Sequence, residues 1–351
     1  MNRTILALFL FVVSVSMTLA QRQKEHLFYY VNSEECYQSL QKNIGKISLV
    51  APAAYYVDED GVMWGAVDPR VLEVARRHKV GVMPLIVNPG FDQIMLHKLL
   101  INPIARSRAV QSMVEQCSQY GYVGMQFDFE NLNFGDRDAY TQFYREAAEA
   151  LHAKGFTISV AVVHRPEEFA GPTDYHKWLY ENWRAGYDLK ELAAIGDFVT
   201  VMTYSQHTRR TTPGPNAGIP WMKKIVENFL RFMPPEKLSL GIPTSSMHWY
   251  TALDTARYYA NARSWSTTMS YARARGVAER FKAKILWHEE QQVPYTTFEN
   301  AGLFEHIYFE DARSFKAKLE LVGQYKLRGC SVWVLGDEDQ EVWKVLPDIV
   351  R

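Results

Sequence analysis

Two carboxylates stand two residues apart in Met125-Gln126-Phe127-Asp128-Phe129-Glu130, within a run from Tyr122 to Glu130 that reads as a strand. Alternation on a strand puts Gln126, Asp128 and Glu130 on one face and the two phenylalanines on the other. The Cα atoms of Asp128 and Glu130 then lie about 6–7 Å apart. Like charges held close in a partly buried place raise the pKa of one member, which is how a carboxyl group stays protonated to act as an acid near neutral pH. The competing reading is a pair of solvated loop acids capping the following helix. A second polar and aromatic set comes from Phe198-Val199-Thr200-Val201-Met202-Thr203-Tyr204, where Thr200, Met202 and Tyr204 oppose Val199 and Val201. A third comes from residues 329–336, where Ser331, Trp333 and Leu335 share a face. If the three strands end at one rim, Glu130, Tyr204 and Trp333 surround one pocket.

The elements that would position these residues alternate regularly. Strands are expected at residues 27–32, 47–57, 80–88, 122–130, 156–164, 197–204, 238–243 and 329–336, and most intervals between them carry helical periodicity. Ser33 and Asp68-Pro69 are helix starts, and Gly121 and Gly155 are helix stops. Strand after helix after strand, eight times, predicts an α/β fold of the (β/α)8 TIM barrel type, whose catalytic groups sit at the C-terminal ends of the strands. The phenylalanines of the fourth strand suit the layer beneath the helices, which leaves Asp128 and Glu130 facing the barrel axis. About eighty residues separate the seventh and eighth strands. They predict a small α+β insertion at about 250–311, with a helix at 269–283 and strands at 285–289, 295–299 and 305–309, followed by a crossover helix at 312–327.

Composition narrows the function class. Of the 351 residues, 47% are hydrophobic and formal net charge is zero, so no global field draws the chain to nucleic acid or an anionic membrane. Residues 1–20 carry Arg3, an apolar run from Ile5 to Met17 and small residues before Gln21, which predicts a signal peptide and a secreted or periplasmic protein with no membrane contact after cleavage. The mature barrel is expected at 21–351. The three cysteines, Cys36, Cys117 and Cys330, are spaced unlike a metal site and read as buried thiols, with one disulfide pair left open. No H-x-x-x-H spacing, phosphate-binding glycine loop or G-x-S-x-G elbow is present, so the expectation is no metal and no cofactor.

These motifs resemble glycoside hydrolase family 18, the chitinase family. Asp128-Phe129-Glu130 resembles the end of its D-x-x-D-x-D-x-E motif, and Met202-Thr203-Tyr204 resembles its M-x-Y-D motif. Leu240-Gly241-Ile242-Pro243 is similar to its seventh-strand motif. Residues 120–131, 308–314 and 332–336 look closest to the branch of spore-cortex lytic and spore-germination hydrolases. The resemblance implies retaining hydrolysis of β-1,4 links beside N-acetylglucosamine, in peptidoglycan or chitin-type glycans, with the substrate's acetamido group replacing an enzyme nucleophile. It implies Glu130 as acid and then base, Asp128 orienting the acetamido group, and Tyr204 donating to its carbonyl. Trp333 would stack under the sugar, while Gln126, Met202 and, by analogy, Trp249 would contact substrate.

Three departures qualify the likeness. Val123 and Gln126 replace the first two aspartates of the long motif, and Ser205 replaces the aspartate of M-x-Y-D. Ser205 motivates the alternative of a weakly active or inactive carbohydrate-binding protein on the same fold; the presence of Glu130 opposes it. The choice among chitin, peptidoglycan and N-glycan, exo or endo action, and oligomeric state stay open at this level.

Overall fold

β-branched and aromatic runs form the expected strands, and a computed structural model describes them within residues 24–208, 211–252 and 263–349. The predicted signal peptide and residues 253–262 of the predicted insertion lie outside the described residues. The barrel strands are β1 (Glu25–Tyr30), β2 (Leu49–Val57), β3 (Leu85–Val87), β4 (Gly124–Phe127), β5 (Thr157–Val163), β6 (Phe198–Met202), β7 (Leu238–Pro243) and β8 (Gly329–Trp333). Each is parallel to its neighbours, and β1 pairs with both β2 and β8, so the sheet closes. Closure removes free edges from the ring and forces strand side chains to alternate between the axis and the helical layer.

Helices form where caps and apolar faces were legible. The Ser33 side chain accepts from the Cys36 N–H, and Asp68 accepts from Arg70 N–H ahead of the helix Pro69–Arg77. The helix Pro103–Tyr120 stops at Gly121, whose φ of 70° is left-handed and costs glycine little. Helix Arg137–His152 buries Tyr140, Phe143, Tyr144, Ala147 and Leu151. The first three ring systems pack on Phe127, at centroid distances of 6.3, 5.1 and 5.2 Å. That packing turns Phe127 and Phe129 outward, and the carboxylates inward.

The axis is lined by a polar layer. The Tyr29 hydroxyl donates to Gln126 Oε1 at 2.8 Å, and Gln126 Nε2 donates to Ser159 Oγ at 3.0 Å and to Thr200 Oγ1 at 3.3 Å. Thr200 Oγ1 meets Ser331 Oγ at 3.0 Å, which meets Ser239 Oγ at 2.7 Å. All are fully buried or nearly so. Burying so many polar atoms is tolerable because each has a partner.

The structure corrects several element boundaries. The strand expected at 80–88 is broken into Gly81–Val82 and β3, because Pro84 has no N–H for the ladder and β2 bulges between Ala53 and Tyr55. Regular pairing in β4, β6 and β8 ends at Phe127, Met202 and Trp333, short of the predicted ends. Beyond β4 the backbone is held by other means: Asp128 N–H donates to Ile86 O at 3.0 Å, and Glu130 N–H donates to Asn88 Oδ1 at 3.0 Å. The helix Gln93–Ile101 was not anticipated, since its sequence is apolar almost all round.

The insertion is larger than the three strands expected. Among the described residues it is a five-stranded antiparallel sheet in the order Arg263–Met269, Ser246–Ala252, Leu303–Tyr308, Val293–Asn300, Leu286–His288. Its first two strands escaped sequence reading because Ser246–Ala252 begins only two residues after β7, with no glycine turn to punctuate it. Met269, expected in a helix, ends a strand, and the helix runs Tyr271–Arg280. A small second core of Met269, Ala274, Ala278, Phe298, Ile307 and Phe309 holds helix and sheet together. The three cysteines are free and buried; Cys36 Sγ–H donates to Leu335 O at 2.8 Å.

Candidate active site

The chain leaving β4 is clamped before it can wander. Asn88, 1% exposed, donates through Nδ2 to Glu130 O at 3.0 Å while its Oδ1 accepts from Glu130 N–H. Tyr187 donates its hydroxyl to Phe129 O at 2.7 Å. Asn131 then takes a left-handed φ of 55° and turns the backbone away. The result fixes Asp128 and Glu130 at the barrel mouth, next to one another and facing the axis.

A cavity of about 280 Å³ opens over them, lined by Asp128 and Glu130 together with Tyr29, Met202, Tyr204 and Trp333. Tyr204 and Trp333 rings lie 6.5 Å apart at an interplanar angle of 28°, and Tyr29 lies 5.4 Å from Trp333. Trp333 is anchored by the residue that follows β7: Thr244 N–H donates to Trp333 O at 2.8 Å, and Thr244 Oγ1 accepts from Val334 N–H at 2.8 Å. The Tyr204 hydroxyl makes no hydrogen bond to the described residues. Burial, then Tyr29 and the two nearby carboxyl groups, raise its pKa well above the usual phenol range, so it stays a donor.

The electrostatics are those of a proton-holding pair. Burial pushes both carboxyl pKa values up, and the charge of Asp128 pushes Glu130 further. Among the described residues no Lys, Arg or His pairs with either acid, so the pair is stabilised by keeping a proton rather than by a counter-ion. Asp128 Oδ1 is buried without a hydrogen-bond partner. An unpaired acceptor at the floor of a cavity is costly to leave unmade and complementary to a donor that a ligand would bring.

Five of the seven residues singled out in the sequence therefore meet: Glu130, Asp128, Tyr204, Met202 and Trp333. Two do not. Gln126 is fully buried in the polar layer beneath Asp128, and its amide is committed to Tyr29, Ser159 and Thr200, so it cannot touch a ligand. Trp249 is 1% exposed, and its indole N–H donates to Gly214 O at 3.1 Å, because its strand belongs to the insertion sheet rather than to the barrel rim. Ser205 lines the cavity with a left-handed φ of 62°, its N–H donating to Asn216 Oδ1 at 2.8 Å.

A second cavity of about 670 Å³ shares Glu130, Met202, Tyr204 and Ser205 with the first and extends over His164, Trp183, Arg184 and Trp221. Sequence reading missed these residues. His164 and Asn88 could have been found, since each is a polar residue at the C-terminal end of a barrel strand. Trp183, Arg184 and Trp221 come from connections whose course only the fold reveals.

With this geometry in view, similarity to known proteins is specific. The pattern of the glycosyl hydrolases of family 18 matches residues 28–339. A putative sporulation-specific glycosylase, YdhD, of Bacillus subtilis is 28% identical over 272 residues, which is 76% of this chain but only 60% of that protein. The cortical fragment-lytic enzyme of the same organism is 28% identical over 90% of this chain and 71% of its own length. Among solved structures, a chitinase from Chromobacterium violaceum superposes with a TM-score of 0.80 at 24% identity, covering 92% of this chain and 98% of that one. The spore cortex-lytic enzyme SleL of Bacillus cereus does so with a TM-score of 0.81 at 21% identity, covering 92% and 73%. Those structural likenesses establish the shared fold. The family match spans the barrel from β1 past β8, and with it the chain belongs to glycosyl hydrolase family 18.

Proposed function

We propose that this protein cleaves β-1,4 links next to N-acetylglucosamine by a retaining, substrate-assisted mechanism, with Glu130 as acid and base. The carrying observation is the pair of buried carboxyl groups without a counter-ion, at the floor of a cavity that Tyr204 and Trp333 line. An N-acetylated sugar seated on Trp333 puts its acetamido group over Asp128 and Tyr204. Asp128 accepts the acetamido N–H, and Tyr204 donates to the carbonyl oxygen. That oxygen attacks the anomeric carbon as the glycosidic bond breaks, and the leaving oxygen takes the Glu130 proton. The oxazolinium ion that forms is stabilised by Asp128. Glu130, now ionised, takes a proton from water, whose oxygen displaces the carbonyl oxygen at the anomeric carbon. Two inversions give retention.

Met202 borders both cavities and would contact the sugar at the cleavage point. Relatives named for cortex-lytic and chitinase activity support an N-acetylglucosamine-containing substrate. The leader-like residues 1–20 support export, to the periplasm or the medium. Ser205, in place of the family aspartate, favours as the second reading a carbohydrate-binding protein with slow or no turnover.

Hydrolysis of N-acetylglucosamine-containing oligosaccharides, followed by mass spectrometry of the products, separates the two. Wild type is expected to release products, and Glu130→Gln to be slower by about 10²–10⁴-fold. Equal rates in the two proteins, or binding without cleavage by wild type, reject the hydrolase.

A further inference from the structure

The larger cavity contains a charge that the proposed mechanism does not use. Arg184 lines it, and among the described residues no carboxylate pairs with its guanidinium. The contrast with Arg165 nearby is direct: Arg165 is paired with Glu168 at 2.8 Å and donates through Nη1 to Arg184 O at 3.0 Å, which fixes the backbone at position 184. Arg184 Nη2 meets His164 Nε2 at 3.1 Å, and His164 Nδ1 meets Met202 O at 3.3 Å. The carbonyl accepts only from a protonated Nδ1, so Nε2 is left as the acceptor for Arg184 and the ring is neutral. Burial and the Arg184 charge agree with that assignment, holding His164 down to about 3. His164 therefore orients the guanidinium without neutralising it. Arg184 Nε is buried with no partner, and Nη1 has none among the described residues.

The remaining titratable groups around this cavity do not supply the missing anion. Burial, and then the charge of Asp128, raises the Glu130 pKa and so disfavours its anion. His176 Nδ1 is engaged by Thr173 Oγ1 at 2.6 Å. Glu167 stands exposed on the wall and makes no ion pair with Arg184. A partly buried cation without a counter-ion is unfavourable unless a ligand brings one, and a planar guanidinium suits a carboxylate.

Resting on the glycosidase reading, we infer that Arg184 recognises a carboxylate on the leaving-group sugar. On that reading the sugar seated on Trp333 occupies the smaller cavity, and its leaving partner continues past Glu130, which borders both cavities, into the one Arg184 lines. The substrate class is then an N-acetylated glycan with an acidic substituent beside the scissile bond. The 3-O-lactyl group of muramic acid in peptidoglycan has that chemistry, because its oxygen neighbours the O4 that leaves. Uncharged chitin lacks it.

The test compares kcat/KM on two tetrasaccharides of equal length, chitotetraose and a peptide-free repeat of N-acetylglucosamine and N-acetylmuramic acid, with the latter also as its methyl ester. Binding of all three to Glu130→Gln is measured in parallel by calorimetry. Wild type is expected to prefer the free acid over both neutral sugars. Arg184→Gln, which keeps a donor for His164, is expected to lower that preference ratio by about tenfold to a hundredfold. Arg184→Lys should restore part of it. A ratio that Arg184→Gln leaves unchanged, or indifference of wild type to esterification, overturns the inference. If wild type cleaves none of the three, the hydrolase reading falls by itself. The binding preference, with and without Arg184, still decides the role of the arginine.

Discussion

Glu130 and Glu310 are both buried acids, and the fold treats them in opposite ways. Glu310 is 3% exposed where the insertion returns to the helix Ala312–Gln324. Lys318, on that helix and fully buried, reaches it at 2.6 Å, and Ser314 Oγ donates to it at 2.8 Å. Burial pushes the Glu310 carboxyl up, while Lys318 and Ser314 pull it back. At the barrel mouth burial pushes Asp128 and Glu130 up, and among the described residues no cation pulls either back. The cost of burying an acid is offset by a counter-ion in one place and by a retained proton in the other. The first arrangement clamps an insertion to a helix. The second leaves a proton available for transfer.

Three single substitutions, the first with a double variant beside it, probe that contrast. Lys318→Met should have the largest effect, about 3–5 kcal/mol of lost stability, because it strands Glu310 without its partner. Urea unfolding measures it, and the double variant Glu310→Gln/Lys318→Met should recover most of the loss. A single-variant cost below about 1 kcal/mol would show that the pair does not clamp the insertion.

Asp128→Asn should change the acid rather than the fold. Removing the charge that raises Glu130 lets Glu130 ionise at lower pH, so the alkaline limb of kcat/KM should move toward acid by about one pH unit. A limb that stays in place or moves the other way would mean that the two carboxyl groups do not sense each other.

The smallest expected effect is a stability gain. A carboxyl whose folded pKa lies above its unfolded value makes the native state hold an extra proton between the two. Its stability contribution is complete below the unfolded pKa and is lost as pH rises through the folded one. Glu130→Gln has no proton to lose, so it should be more stable than wild type by about 1 kcal/mol at alkaline pH. The two should converge in acid. Thermal melting at the two extremes reads the difference, and parallel curves would contradict the raised carboxyl.

Legibility in the sequence followed locality. Alternation and caps are local rules, so the eight strands, the inward turn of Asp128 and Glu130, and the helix stop at Gly121 were readable from side-chain types. Trp333 and Tyr204 were placed by the same rule, applied to two other strands. Depth along the axis was not readable. Gln126 shares a face with Asp128 but lies one pleat deeper, where the Tyr29, Ser159 and Thr200 side chains close over it. Trp249 was misplaced because a new sheet begins two residues after β7. Arg184 and Trp221 face Glu130 only through the path of two long connections, which no spacing encodes.

The polar layer at the barrel axis has a consequence for how this lineage can change. Its hydroxyls and amide run from Tyr29 through Gln126 and Thr200 to Ser331 and Ser239, with β1, β4, β6, β8 and β7 contributing one member each. Replacing one member by an apolar residue strands its neighbour in a dry interior, whereas replacing a neighbouring pair together need not. Substitutions there should accumulate as linked sets across strands far apart in the chain, while the loops above drift one residue at a time.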